Sequence, residues 1–462
     1  MMGQLAADQN ALFYDFNIEQ RIPDNHLLRK IDQFLDFDQI RSHLHSFYSH
    51  TGRPSIDPEL MIRMLLVGYC YGIRSERRLC EEIDFNLAYR WFCRLGLEDA
   101  IPDHSTFSKN RHGRYRDSDI FRFVFETVVQ RCIEEHLVKA EGFAIDGSLL
   151  QADVSRQNAV SRNKVIDWGP AATQSHAVKE YLDSLDNVHA PTTRASTSLT
   201  DPEARWTASR GKAQFAYSTN YMLDVQFGVI VDVEASPGNR RDEVACTQLM
   251  LDRIESNYDI KPKRLMGDTA YGTGAMLDWL VEEKKIEPHV SVWDKSTRSD
   301  DTFSASDFIW NNEEDYYQCP AGKRLQRFRR AFKKPRSGIT KDNTIIYSAS
   351  KNDCDHCDYK QRCCANTERR RIKRSIYEAS RDIARAINQT DRFKQQSSVE
   401  RKKVEMAFAH MKRNLNFHRL RLRGIKSAND ECILVATVQN LRKLAKYRGQ
   451  PPPKQRITTP GI

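Results

Sequence analysis

The run 142-GFAIDGS-148 marks the point where the chain changes character. Phe143, Ala144 and Ile145 form a short apolar segment of the kind that makes a buried strand, and the Asp146-Gly147 pair reads as a turn that ends it. Upstream, from about Asp57 to Val138, the pattern is helical. Ser55-Ile56-Asp57-Pro58 is a start signal, with Asp57 as N-cap and Pro58 in the first turn, and Leu60, Met61, Met64, Leu65 and Gly68 follow at helical spacing. Ser75 opens a second helix. Ser105 and Ser118 read as further N-caps, and Ile120, Phe121, Phe123, Val124 and Val128 make an amphipathic stripe on a helix ending near Leu137. Downstream, strand-like segments 214-QFAYSTNYMLDV-225 and 227-FGVIVDVEA-235 precede a helix at about 242–256. Then come 264-RLMGDTAYG-272, a helix at about 273–285, and 288-PHVSVW-293. Strands with interposed helices predict a mixed α/β fold. Residues 156–211, rich in Ser, Thr, Asn, Ala and Arg, read as an extended loop and as the part most prone to disorder.

A length of 462 residues predicts two or three domains. With 40% hydrophobic and 29% charged residues and no biased composition, collagen-like, mucin-like and wholly disordered classes are excluded. The formal charge of +10 is modest for this length, so its placement matters more than its size. The most apolar runs, 60-LMIRMLLVGYCYGI-73 and 432-CILVATV-438, contain an Arg or fall short of the roughly 20 residues that span a bilayer. The N-terminal MMGQLAADQNALFYDF lacks the basic start and apolar core of a signal peptide, so a reducing cytoplasm is expected. The eleven cysteines are then thiols or ligands, not a disulfide framework.

From Ser296 to about Thr367 the α/β rhythm stops, and this stretch holds Cys319, Cys354, Cys357, Cys363 and Cys364. Between Cys319 and Ile339 stand eight Lys or Arg and no acid, a basic segment suited to DNA. The spacing Cys319-x34-Cys354-x2-Cys357-x5-Cys363 is compatible with a tetrahedral zinc site, with unliganded thiols as the alternative. His356 or Cys364 could replace one of the four. Helical blocks are expected at about 367–389, 397–415 and 427–447, before the Pro-rich 451-PPPKQR-456.

Three acids stand out. Asp146 ends the buried run, and Asp268 follows 264-RLMG-267 at a strand-to-helix junction, where ligands bind in α/β sheets. Glu405 lies on a helix whose buried stripe is Val404, Phe408, Met411 and Leu415. At about 100° per residue, Arg401, Glu405 and Lys412 fall about 60°, 100° and 80° round from Val404, so one flank presents a carboxylate alongside two cations. Glu400 falls about −40° from Val404, on the other side. A lone Asp at a strand end is most often a cap or turn residue. Here, however, nine Lys or Arg lie between Arg401 and Lys426 against the single acid Glu405. A solvated basic face needs no carboxylate there, whereas a site for metal and DNA phosphates needs both. Two-metal phosphoryl chemistry takes about three carboxylates around two hard cations.

These motifs resemble DDE transposases of bacterial insertion sequences, in the broad group of insertion sequences 4 and 5 and most closely the insertion sequence 1182 type. Residues 53-RPSIDPELMIRMLLVGYCYGIRSERRLCEEI-83 are similar to the family's N-terminal helical region, 144-AIDGS-148 to its first-Asp strand, and Asp268-Thr-Ala-Tyr271 to its D-x-[GA]-Y element. Arg401, Glu405 and Lys412 match its R-(3)-E-(6)-K spacing, while Ser398 stands where the fuller signature has Tyr. The resemblance implies an RNase H-like (retroviral-integrase-like) catalytic core. Asp146, Asp268 and Glu405 would hold two magnesium (or manganese) ions, and Arg401, Lys412 and Tyr271 would contact DNA phosphates. It also implies double-stranded DNA as partner, both terminal inverted repeats and target, a homodimer in the synaptic complex, no membrane, and a cytoplasmic, nucleoid-associated location. The expected organisation is a helical DNA-binding region over 1–138, a first core part over 139–295, a basic Cys-containing insertion over 296–367, a helical core part carrying Glu405 over 368–450, and a tail over 451–462. Similar cysteines occur in the family's insertion. The alternatives are a non-catalytic DNA-binding protein derived from a transposase, and a metal-dependent nuclease without strand transfer. Trp293 is expected in packing more than in base stacking, and His43 and His45 are assigned no site.

Overall fold

The computed structural model describes residues 16–49, 51, 55–161, 166–170, 173–186, 196–208, 213–293, 302–327 and 337–448. The chain is mixed α/β and divides into two compact units, Met1–Lys139 with Gly147–Asp259 and Val404–Ile462, and Ala140–Asp146 with Ile260–Lys403. Most of the basic segment after Arg327, and the Pro-rich tail, lie outside the described residues. No described helix is long and apolar enough to cross a membrane.

The first unit opens with helices whose starts are written locally. Asp57 caps Pro58–Tyr71 by accepting from the Glu59 N–H, and Ser75 caps Glu76–Phe85 by accepting from the Arg78 N–H. Two expected caps move: Asp103, not Ser105, caps His104–His112, and Asp119 in the left-handed region, not Ser118, precedes Ile120–Glu134. Strands Gln214–Asp224 and Ile230–Pro237 pair antiparallel, and Arg205–Thr207 pairs antiparallel with the first of them. Helix Ile425–Tyr447 packs on Ile230–Pro237 and on helices Ile120–Glu134 and Pro58–Tyr71. It is buried from Cys432 through Leu441, the polar Thr437, Gln439 and Asn440 included. Its amides finish the strand: Asn440 exchanges two hydrogen bonds with the Ile230 backbone, at 2.9 and 2.7 Å, and Asn429 accepts from the Ala235 N–H. The unpaired strand edge is thereby satisfied.

The expected loop over 156–211 is partly built. It contains helix His176–Asp186, which buries Ala177, Val178 and Tyr181, and strands Ala159–Ser161 and Ser196–Ser198 paired antiparallel. Three apolar side chains at positions i, i+1 and i+4 anchor that helix despite its polar surroundings.

In the second unit, Phe143 and Ala144 pair in parallel with Leu265 and Met266, and strand Arg264–Met266 pairs in parallel with Glu287–His289. The Cys-containing region is a five-stranded antiparallel sheet in the order Arg371–Ser375, Thr344–Ser348, Arg324–Arg327, Tyr316–Gln318, Ile309–Asn311. Its core includes Phe308, Tyr317, Leu325, Tyr347 and Ile372, and the Arg374 guanidinium lies over the Trp310 ring at 4.1 Å. The helix expected from 367 begins only at Glu378, because 371-RIKRS-375 alternates with Ile372 inward and is taken as the edge strand. Trp293, expected in packing, is 55% exposed. Its strand ends at His289, and its N–H bonds to the Gly272 carbonyl.

Candidate catalytic carboxylates and cysteine pocket

Phe143, Ala144 and Ile145 are fully buried, and the strand does not stop at Asp146 but runs on to Gln151. The Asp-Gly pair is therefore no turn. Glycine is needed at 147 for close approach: a Cβ there would lie 2.9 Å from Ser218 Oγ, 3.0 Å from Asn220 Oδ1 and 3.1 Å from Glu243 Cδ. Glu243 accepts from Ser218 Oγ at 2.8 Å, so a carboxylate stands against the residue that follows Asp146. Sequence reasoning missed it, since an acid in the first turn of Arg240–Tyr258 reads only as a partner for the helix dipole.

Asp268 is extended, with φ −80° and ψ 179°, and its side chain accepts from the Ala270 N–H at 2.8 Å, capping the turn Thr269–Tyr271. Ala144 is the register partner of Met266; Asp146 comes two residues later on the same strand, and Asp268 two residues after Met266, just past the end of the neighbouring parallel strand. Both are half-buried. Strands lie about 4.8 Å apart, so the segments that carry the two acids extend beyond this parallel pairing at the same end. Tyr271, expected at DNA phosphates, is 1% exposed, and a Cβ on Gly267 would meet its ring at 2.9 Å. Its burial favours packing of the junction over phosphate contact.

Glu405 and Lys412 belong to the first unit. Helix Ser398–Asn414 buries Val404, Phe408 and Met411, with Leu415 buried just after it, and leaves Glu405 exposed. Arg401, four residues before Glu405, and Lys412, seven after it, share its side of the helix. Lys412 Nζ donates to the Leu149 carbonyl at 3.0 Å, and partial burial lowers its pKa. Glu400 is 1% exposed in the second unit, where it accepts from Arg264 at 2.6 Å and from Gln396 at 3.0 Å. Part of the basic run is already engaged: Arg419 and Arg423 both bond to the Asp153 carboxylate, at 2.7 and 3.0 Å.

Among the described residues, no group of three or more His, Cys, Asp or Glu side chains stands ready-made for a metal ion. Asp146 and Asp268 do offer the carboxylate oxygens that a hard divalent cation takes, and they need a further ligand to complete a site.

The cysteines converge more broadly than their spacing implies. Cys319, Cys354, Cys357, Cys363 and Cys364 all line one cavity of about 20 Å³. The 319–323 turn is closed by Cys319 N–H to Lys323 O at 2.8 Å, and Lys323 N–H points at Cys319 Sγ at 3.3 Å. Burial raises the thiol pKa of Cys354, and pushes that of Cys363 up to about 11. All five are free thiols. Their donor chemistry fits zinc, but among the described residues no three of them are placed as a set of metal ligands.

Residues 16–113 match the family described as "Transposase domain (DUF772)", and residues 318–445 match the family described as "Transposase DDE domain". The second match includes the five cysteines, Arg401, Glu405 and Lys412; Asp146 and Asp268 lie between the two matched stretches. The matches support a transposase carrying a DDE domain.

Proposed function

We propose that this chain is a DDE transposase of an insertion sequence, of the insertion sequence 1182 type, with an RNase H-like core. The observation that supports the reading is the parallel pairing of Ala144 with Met266, after each of which an Asp follows two residues later, in a chain with two transposase-family matches. Asp146, Asp268 and Glu405 hold two divalent cations, magnesium or manganese. When bound, these supply activation of the attacking oxygen and stabilisation of the leaving one in phosphodiester hydrolysis and strand transfer. Arg401 and Lys412 flank Glu405 and hold the phosphates on either side of the reacting one, so the scissile bond is positioned and its charge balanced. The N-terminal helical region binds the terminal inverted repeats of double-stranded DNA, two copies of the chain pair in the synaptic complex, and the cysteine pocket holds a structural zinc. The protein works in the cytoplasm on the nucleoid.

The test is a cleavage and joining assay on the element's own ends with magnesium or manganese. Cleavage followed by joining of the 3′-hydroxyl to target DNA is expected. Cleavage without joining would make the protein a nuclease, and specific binding without cleavage would make it a DNA-binding derivative; either result overturns the proposal.

A further inference from the structure

A cavity of about 330 Å³ in the first unit lies where the N-terminal helices meet residues 421–431. That volume is at the lower end of the range of small-molecule sites, roughly 300–1,000 Å³. Four arginines line it, Arg74, Arg77, Arg111 and Arg421, against the two carboxylates Glu76 and Glu431. Glu431 is already spent. It is 1% exposed, is paired with Arg74, and accepts from the backbone N–H groups of Arg421 and Leu422 at 2.8 and 2.7 Å. Arg74 is a structural member, its guanidinium lying 4.8 Å from the Tyr69 ring centre and 4.5 Å from that of Phe417.

Arg111 is different. It is 8% exposed, its one ion pair among the described residues, to Glu76, is long at 3.4 Å, its charge also acts on the Asp430 carboxyl, and its Nε is buried with no partner. A buried guanidinium with an unmet donor costs about 1–3 kcal/mol, and such a group in a cavity wall is a donor waiting for an acceptor. The buried Arg74 Nε is also unpartnered. The ten-residue helix Glu76–Phe85 begins at the same cavity, its N-cap Ser75 among the lining residues. Among the described residues Ser75 Oγ takes only the Arg78 N–H, at 3.4 Å, and a helix start with free N–H groups attracts anions.

We infer that this cavity binds a phosphate group of a DNA strand, with Arg111 and Arg77 as its main donors and the start of Glu76–Phe85 beneath it. That the phosphate is DNA's rests on the transposase reading. The anion preference rests on the cavity itself.

The experiment titrates the full chain with inorganic phosphate, and separately with thymidine 5′-monophosphate, without divalent metal, following phosphorus NMR. Saturable binding of both is expected, displaced by duplex carrying the element's ends. Arg111→Gln should weaken it by about tenfold or more. Arg77→Gln, on an exposed helix position, should weaken it less without risk to folding, and Arg111→Lys should restore part of it. Absence of saturable binding, binding indifferent to both Arg111→Gln and Arg77→Gln, or failure of duplex to compete would each overturn the inference. No cleavage is needed for this readout, so a failed cleavage assay and a failed phosphate titration remain separable results.

Discussion

Asp146 stands two residues beyond Ala144 on its strand, and Asp268 two residues beyond Met266, the register partner of Ala144 and the last residue of the neighbouring parallel strand. If the two carboxylates share a divalent cation, each supplies an oxygen ligand whose charge an amide lacks. Replacing one by its amide should therefore remove cation binding without unfolding the strands. Asp268→Asn keeps an oxygen to cap the Ala270 N–H, so the turn survives. The expected outcome is loss of magnesium-dependent strand cleavage with end binding retained, measured on the same preparation by product gels and by anisotropy. Near-normal cleavage would remove Asp268 from the site.

Glu400 tests the assignment from the other side. Its pair with Arg264 is buried on both sides, with Ser397 Oγ 3.1 Å from the same guanidinium nitrogen. Removing one partner strands a charge, so Glu400→Ala should cost about 3–5 kcal/mol. The double change Arg264→Met, Glu400→Met should recover most of that loss. Thermal melts of the three variants check it. An undisturbed melt for Glu400→Ala would mean that the pair carries no stability.

Much of the fold was legible because its signals are local. Asp57-Pro58 and Ser75 start helices where caps demand, and the 432-CILVATV-438 run lies within a buried helix. What failed depended on neighbours. Asp146-Gly147 carries a turn signal, yet glycine is there because Ser218, Asn220 and Glu243 leave no room for a Cβ. The strand Arg371–Ser375 was hidden by its charges, since a five-residue edge strand needs only Ile372 inward. Chemical type alone marks Asp146, Asp268 and Glu405 as candidates, whereas the carboxylate of Glu243 acquires meaning only from what it touches.

A pH effect on stability should come from Asp430. Burial raises its pKa to about 7 from 3.8, with Asp119 adding to the rise and Arg111, Lys426 and Arg116 opposing it. The folded state therefore binds a proton that the unfolded state releases between about pH 4 and 7, and stability falls as pH rises through that window. The full shift corresponds to about 4 kcal/mol as an upper bound. Asp430→Asn should flatten this part of the curve and stabilise the protein at pH 8, as read by urea melts across pH. A slope unchanged by the substitution would assign the effect elsewhere.

Arg401 and Lys412 should act on DNA through phosphates. If each holds one, replacing both by Gln lowers the magnitude of the slope of log affinity against log salt by about 0.9 per lost contact. Lys412→Gln also removes a donor to the Leu149 carbonyl, so the melt of each variant must accompany the binding series. An unchanged slope in the double variant would leave both as helix-surface charges.

The cysteine pocket yields the last expected result. Its sheet has a small core, including Phe308, Tyr317, Leu325, Tyr347 and Ile372, and small cores commonly need a staple. Five thiols on one cavity can supply it, because zinc binding deprotonates thiols that burial otherwise keeps neutral. Purified protein should carry about one zinc per chain, with sulfur ligands near 2.3 Å by X-ray absorption. Chelation should release it and lower the melting temperature. Serine substitution at Cys319, Cys354, Cys357 and Cys363 in turn should abolish loading, whereas Cys364→Ser should retain it; the opposite pattern at Cys363 and Cys364 would exchange those two as ligands. Absence of zinc from protein purified under reducing conditions would leave five packed thiols and no metal staple.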